Sequence, residues 1–248
     1  QFKHTALARK IDRDYERKVV ENADLLISVS EDVKRIFADK SAQPIAAKTV
    51  VIPNGYDSED FWVSEIPAET IKVITYTGTI SEAYDVDSLL IALLQLKDEW
   101  SGKLLIRFVG KVPSNIASKF KETGFEVEQI GYVDHQKSIE YLFRSDLLLL
   151  VIPKVANNRG ILTGKFFEYL ASQKPVLAIG PTDGDLAQII AETGCGELFD
   201  YSDSEGMKQF IVQKLTQNKT NVNSEKASGY SRKELTRKLA ENLKIKVG

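Results

Sequence analysis

The sequence predicts an α/β fold, a Rossmann-like doubly wound parallel sheet. Short β-rich runs alternate with helical patterns along nearly the whole chain, and that alternation is the mark of helices packed on a parallel sheet. Several of the runs are apolar on both faces, as in Leu25-Leu26-Ile27-Ser28-Val29 and Leu147-Leu148-Leu149-Leu150-Val151-Ile152. Strands covered by helices on both sides read this way. Between the runs, apolar residues recur at helical spacing, most clearly at Val86, Leu89, Leu90, Leu93 and Leu94.

Taken in order, residues 1–21 form a charged helical pattern, and a chain that opens inside such a pattern reads as a cut within a longer protein. Strands are expected at 25–29, 49–52, 72–77, 104–109, 127–130, 147–152, 176–179 and 197–199. Helices are expected around 33–38, 86–94, 116–123, 139–143, 166–171, 186–191, 207–215 and 231–243. The strand ending at Ile52 runs into Pro53-Asn54-Gly55-Tyr56-Asp57, where Asn-Gly signals a turn. Residues 57–70 read as a loop and 217–227 as a polar, turn-prone connection. The expected division is an amino-terminal helix and first βα unit over 1–56, then the Rossmann-like domain over 57–248.

Composition narrows the function. The formal net charge of -2 and pI near 5.9 argue against a strongly basic nucleic-acid binder. The single cysteine, Cys195, permits no internal disulfide, and with two histidines a structural zinc site is not expected. Cys195, between Gly194 and Gly196, reads as structural. The longest apolar run, 147–153, falls well short of the ~18 residues a membrane span needs. The first residues carry no secretory signal pattern.

The segment from Thr163 to Ser172 carries the most chemistry. Thr163 is placed to cap a helix, and Gly164 allows close approach to the backbone. The helix start offers free N–H groups and the positive end of its dipole. Lys165 puts a cation in that first turn, against the dipole, a choice that an anion nearby would justify. Glu168 follows three residues later on nearly the same face, where a carboxylate can accept from sugar or ribose hydroxyls. On spacing alone, an ordinary surface Lys–Glu pair on an amphipathic helix is the better explanation. Further glycine loops end strands at Gly78-Thr79, Gly110-Lys111 and Gly131-Tyr132-Val133-Asp134-His135, where α/β sheets bind ligands. None is a GxGxxG or P-loop pattern.

Four segments, in this order, resemble glycosyltransferase family 4 and its relatives. They are ADLLISVSEDVKRIF from Ala23, VVIPNGYD from Val50, Tyr76-Thr77-Gly78 with RFVGK from Arg107 and GYVDHQKSIEYLFRSDLLLLVIP from Gly131, and GKFFEYLASQKPVLAIG from Gly164. The resemblance implies a GT-B enzyme with two Rossmann-like domains facing a cleft, of which this chain matches the carboxyl-terminal, donor-binding one. The acceptor-binding domain would precede it, and the final helix resembles the one that returns toward that domain. Glu168 matches the second glutamate of the family's Glu-x7-Glu motif, which binds the ribose hydroxyls. Lys165 and the backbone at Leu162, Thr163 and Gly164 would lie beside the diphosphate, and Tyr132, Val133 and Asp134 beside the base. Lys165 and Glu168 are the residues expected to carry catalysis.

The sequence also departs from the family. The motif's first glutamate falls at Gly160. The arginine and lysine that often follow the Gly78-type loop are replaced near Thr79 and Asp85. Arg159, Lys165 and Lys111 are the candidate replacements. The expected activity is transfer of a hexosyl group, with retention, from a nucleotide-sugar of the UDP class to a saccharide or lipid-linked acceptor, in surface polysaccharide assembly. No cofactor, metal or nucleic acid is expected, and this chain alone would be inactive. The expected location is the cytoplasm, with peripheral contact at the inner membrane face. A GT-B sugar-nucleotide epimerase and a non-catalytic nucleotide-sugar-binding scaffold stay open as alternatives.

Overall fold

The computed structural model describes residues 5–62, 66, 69–217 and 220–247. The first four residues of the expected opening helix, and parts of the expected loops at 63–65, 67–68 and 218–219, lie outside the described residues.

All eight expected strands form, and every strand pair is parallel. β1 (Leu26–Ser28) and β2 (Thr49–Val51) make a separate two-stranded sheet with helices α1 (Ala6–Asn22) and α2 (Glu31–Lys40). Its small core holds Val20, Leu26 and Ile45. The other six strands form one sheet: β3 (Lys72–Thr77), β4 (Leu104–Val109), β5 (Glu126–Ile130), β6 (Leu147–Val151), β7 (Val176–Ile179) and β8 (Gly196–Phe199). Their spatial order is β5-β4-β3-β6-β7-β8.

Helices cover both faces, as the doubly apolar strands require. Against one face pack α3 (Asp87–Trp100), α4 (Ser114–Glu122) and α8 (Ser204–Gln217), through residues such as Leu93, Phe120 and Ile211. Against the other pack α5 (His135–Phe143), α6 (Gly164–Ser172) and α7 (Asp185–Thr193), through Leu142, Phe167 and Ile190. Every β6 residue is at most 1% exposed, which explains its unbroken apolar sequence. β5 lies at the sheet edge and leaves Glu126 and Gln129 exposed, so its sequence carries polar residues where the inner strands are apolar.

The expected connection at 217–227 contains one further element, α9 (Ser224–Ser228), capped by the Asn223 side chain, which accepts from Lys226 N at 3.1 Å. Five residues are too few for a helical period to show. The closing helix α10 (Arg232–Val247) turns back to the first unit, where Lys238 Nζ donates to the Val51 carbonyl at 3.0 Å. A second tie joins the two sheets at α2. The Asp185 carboxylate, nearly buried, accepts from Glu31 N and Asp32 N at 3.0 and 2.9 Å. A carboxylate at a helix amino end satisfies orphan donors and meets the favourable end of the dipole. No helix among the described residues is long and apolar enough to cross a membrane.

Candidate functional site

From β3 the chain winds outward through β4 to β5, then returns to β6 beside β3 and winds the other way. The carboxyl ends of β3 and β6 are therefore the topological switch point, the place where open α/β sheets bind ligands. Two expected segments meet there: the Gly78 loop after β3, and the loop and helix α6 after β6.

Lys165 joins them. Its ammonium lies 4.0 Å from the centroid of the Tyr76 ring and donates to the Tyr76 hydroxyl at 2.6 Å. That hydroxyl donates onward to the Thr79 carbonyl at 2.9 Å. One turn further along α6, the Tyr169 hydroxyl accepts from Thr77 N at 2.9 Å. Lys165 and Tyr169 thus pin α6 to the end of β3. Burial draws the Lys165 ammonium down to about 8, and the Glu168 carboxylate pulls weakly the other way. The same burial pushes the Tyr76 hydroxyl up. Among the described residues Lys165 has no ion pair, so the charge is held by an aromatic face and one hydroxyl. Gly78, at φ +97°, leaves room for this, since a Cβ there would stand 3.1 Å from Lys165 Nζ. The next loop is equally tight: a Cβ on Gly110 would meet the Gly78 carbonyl at 2.4 Å.

Glu168 faces another neighbourhood. Its carboxylate lies 3.9 Å from His135 Nδ1, and His135 Nε2 lies 3.1 Å from Asp60. These side chains line a cavity of about 380 Å³ shared with Asn54, Asp57, Gly164 and Arg232. They do not converge as metal ligands: no group of three or more His, Cys, Asp or Glu suited to a metal ion occurs among the described residues.

The remaining expected site residues divide. Leu162, Thr163 and Gly164 lead into α6, and around Gly164 the space is open on the Cβ side. Thr163 occupies the cap position, but its side chain makes no capping bond, which corrects the expectation. Its Oγ1 is instead buried without a partner among the described residues. The Lys111 carbonyl accepts from Ile80 N at 3.0 Å, which holds this loop beside the Gly78 loop with the Lys111 side chain exposed. Tyr132 is 96% exposed. Asp134 is engaged as the cap of α5, accepting from Lys137 N at 2.8 Å. Val133 is half-buried. Arg159 is paired with Asp183 at 3.1 Å, so it does not present a free cation. Gly160 is buried, and a Cβ there would meet Ser30 Oγ at 2.8 Å and Asp32 Cβ at 3.0 Å. The close seat of α2 is the physical reason why no carboxylate stands at that position. Cys195 is buried, and burial pushes its thiol up to about 11, as suits a structural residue.

Sequence reasoning gave no role to Tyr169 or Asp60 and named Tyr76 only within the Tyr76-Thr77-Gly78 segment. The general demand of a buried tyrosine hydroxyl for a hydrogen-bond partner is the signal that could have found the tyrosines.

No protein-family model matches the chain, and no curated protein matches its sequence. Solved structures do match its fold. HepE of Anabaena, in complex with UDP-glucose, superposes with a TM-score of 0.69 at 19% identity, over 97% of this chain and 70% of HepE. WaaG, a glycosyltransferase involved in lipopolysaccharide biosynthesis, gives 0.68 at 18% identity, over 96% of this chain and 67% of WaaG. A glycosyltransferase from Rickettsia africae gives 0.74 at 16% identity, over 95% of this chain and 66% of that one. At such identities the likeness establishes the fold: the chain has the Rossmann-like α/β architecture of GT-B glycosyltransferases.

Proposed function

We propose that this chain is the donor-binding part of a GT-B glycosyltransferase of the family 4 type, and that it binds a nucleoside-diphosphate sugar of the UDP class. The observation that carries this is Lys165: a half-buried cation with no ion pair among the described residues, in the first turn of α6, at the switch point of the sheet. An anion seated against the α6 amino end would meet the Lys165 charge, the helix dipole and the free N–H groups together. The matches to HepE with UDP-glucose and with UDP support the same class of donor, and the match to WaaG supports the transferase class.

In this proposal the diphosphate lies along Leu162, Thr163 and Gly164, with Thr163 Oγ1 as a further polar contact. Gly78, Thr79 and Lys111 flank it, Glu168 accepts from the ribose hydroxyls, and the backbone at Tyr132, Val133 and Asp134 borders the base. Arg159 would take part only after leaving Asp183. Lys165 and the α6 N–H groups stabilise the charge that grows on the departing diphosphate. Holding donor and acceptor in register supplies the rest, and no metal enters. The acceptor half, the saccharide or lipid-linked acceptor, retention of configuration and a role in surface polysaccharide assembly complete the proposal, as does peripheral contact with the inner membrane face.

The test is calorimetric titration of the chain with UDP, GDP and ADP, repeated on Lys165→Ala and Glu168→Ala. The proposal expects one nucleotide, UDP, to bind best and both substitutions to weaken it. Equal indifference to all three nucleotides by the folded chain would contradict it.

A further inference from the structure

His135, Asp60 and Glu168 come from three separate elements: α5, the 3-10 turn at Ser58–Phe61, and α6. The turn is fixed by aromatic packing, with the Phe61 ring edge-on to Tyr56 at 5.9 Å and to Phe143 at 6.2 Å. It therefore delivers the Asp60 carboxylate to a defined place, 3.1 Å from His135 Nε2. A carboxylate only accepts, so Nε2 must carry the proton that it donates. In the neutral ring Nδ1 is then a lone-pair acceptor.

Nδ1 faces Glu168 Oε1 at 3.9 Å, too far for a hydrogen bond. In that neutral form two acceptors stand side by side on one cavity wall and cannot satisfy each other. Two donors held side by side on a ligand would suit them, as on a vicinal diol. Polar Asn54, Asp57 and Arg232 share the cavity with the rings of Tyr56 and Phe61, and Gly164 connects it to the α6 amino end.

We propose that His135, oriented by Asp60, joins Glu168 as the second arm of a diol reader, which makes the site selective for ribonucleotides over 2′-deoxyribonucleotides. This rests on the assignment of Glu168 as a ribose-hydroxyl acceptor. His135, next to the loop that borders the base, takes the hydrogen of the 2′-hydroxyl at Nδ1, and Glu168 takes that of the 3′-hydroxyl. Asp60 never touches the ligand; it is a positioning residue that sets the tautomer.

The experiment is titration of the full chain with UDP and with 2′-deoxy-UDP, on the wild type and on His135→Ala, His135→Asn and Asp60→Asn. Removing one neutral hydrogen bond predicts a loss of roughly three- to tenfold in UDP affinity. For His135→Ala the affinity for 2′-deoxy-UDP should stay within about twofold of the wild type. His135→Asn keeps an acceptor oxygen near the Nδ1 position and should restore part of the preference. Asp60→Asn can donate to Nε2 and so favour the wrong tautomer, and it should also narrow the UDP to 2′-deoxy-UDP ratio. An equal loss of both nucleotides on His135→Ala, or an unchanged ratio, would overturn the diol reader while leaving the donor site in place. Failure of the wild type to bind UDP, or indifference of UDP to Glu168→Ala, would instead strike the assignment on which it rests.

Discussion

Lys165, at the carboxyl ends of the six-stranded sheet, is held differently from its neighbours Lys154 and Arg159, which pair with Asp85 and Asp183, and from the cations at the other end. Toward the amino ends of the strands, positive charges are matched by carboxylates. Lys72 pairs with Asp146 at 2.8 Å, Arg144 with Glu69 at 3.0 Å, and the buried Arg107 with Glu69 at 2.9 Å and with Glu128. Lys174 is an exception: like Lys165 it is drawn down by burial and helped by one carboxylate, here Asp146, without an ion pair among the described residues. At the carboxyl ends Lys165 sits on a tyrosine ring and a hydroxyl, its charge drawn down, at the head of a helix. The largest cavity described, about 770 Å³ and lined by Glu69, Lys72, Arg144 and Asp146, is at the matched end. Size therefore points to the amino ends of the strands, and the setting of Lys165 points to the carboxyl ends. Where burial has already been compensated internally, a ligand adds little. Where a cation is held short of an anion, a ligand adds most.

This contrast can be broken at either end. The largest effect on stability should come from Arg107→Met, which leaves Glu69 and Glu128 without their shared cation. Breaking a buried pair costs about 3 to 5 kcal/mol, and the partial exposure of Glu128 favours about 3. Urea unfolding should show this loss, while the folded fraction keeps its UDP affinity. Lys165→Met should do the reverse. A charge-assisted bond is worth about 1.5 to 3 kcal/mol, so UDP affinity should fall roughly ten- to hundredfold. The same urea experiment should show stability equal to or above the wild type, because an unpaired buried charge has been removed.

A smaller effect is expected at the seam between the two sheets. Asp185→Ala removes the carboxylate from the α2 amino end and should cost about 1 to 2 kcal/mol, read as a lower Tm with UDP binding retained. The smallest is a pH effect. Between 8 and 10.5 the unfolded chain still holds the Lys165 proton that the folded chain has shed. Stability should therefore rise with pH through that window, and the Lys165→Met variant should lack the rise. UDP affinity should move the opposite way, falling as pH climbs through about 8, because the bound anion needs the protonated lysine.

The sheet was legible because its information is local. Runs such as Leu147 to Ile152 must be buried on both faces, and the helices between them keep their period. Gly78 and Lys165 stood out for similar reasons, as a glycine ending a strand and a cation in a first helical turn, and Glu168 as a carboxylate three residues on. The partners of these residues were not legible. Tyr76 meets Lys165 from 89 positions away, and Asp185 caps α2 across 153. Nothing in a local period encodes such a meeting; it follows from the strand order, which brings β3 beside β6. Asp60 was hidden for a further reason, because its turn is held by Phe61 against Phe143 within a stretch that reads as featureless loop.

The most direct test follows the Lys165 ammonium itself by NMR of selectively labelled lysine side chains, with Lys165→Met to assign the signal, over a pH series with and without UDP. The account predicts that Lys165 titrates near 8 in the free chain and moves upward when UDP binds, while the Lys72 signal, held by Asp146, stays where it was. A Lys165 titration that saturating UDP leaves unmoved would contradict it.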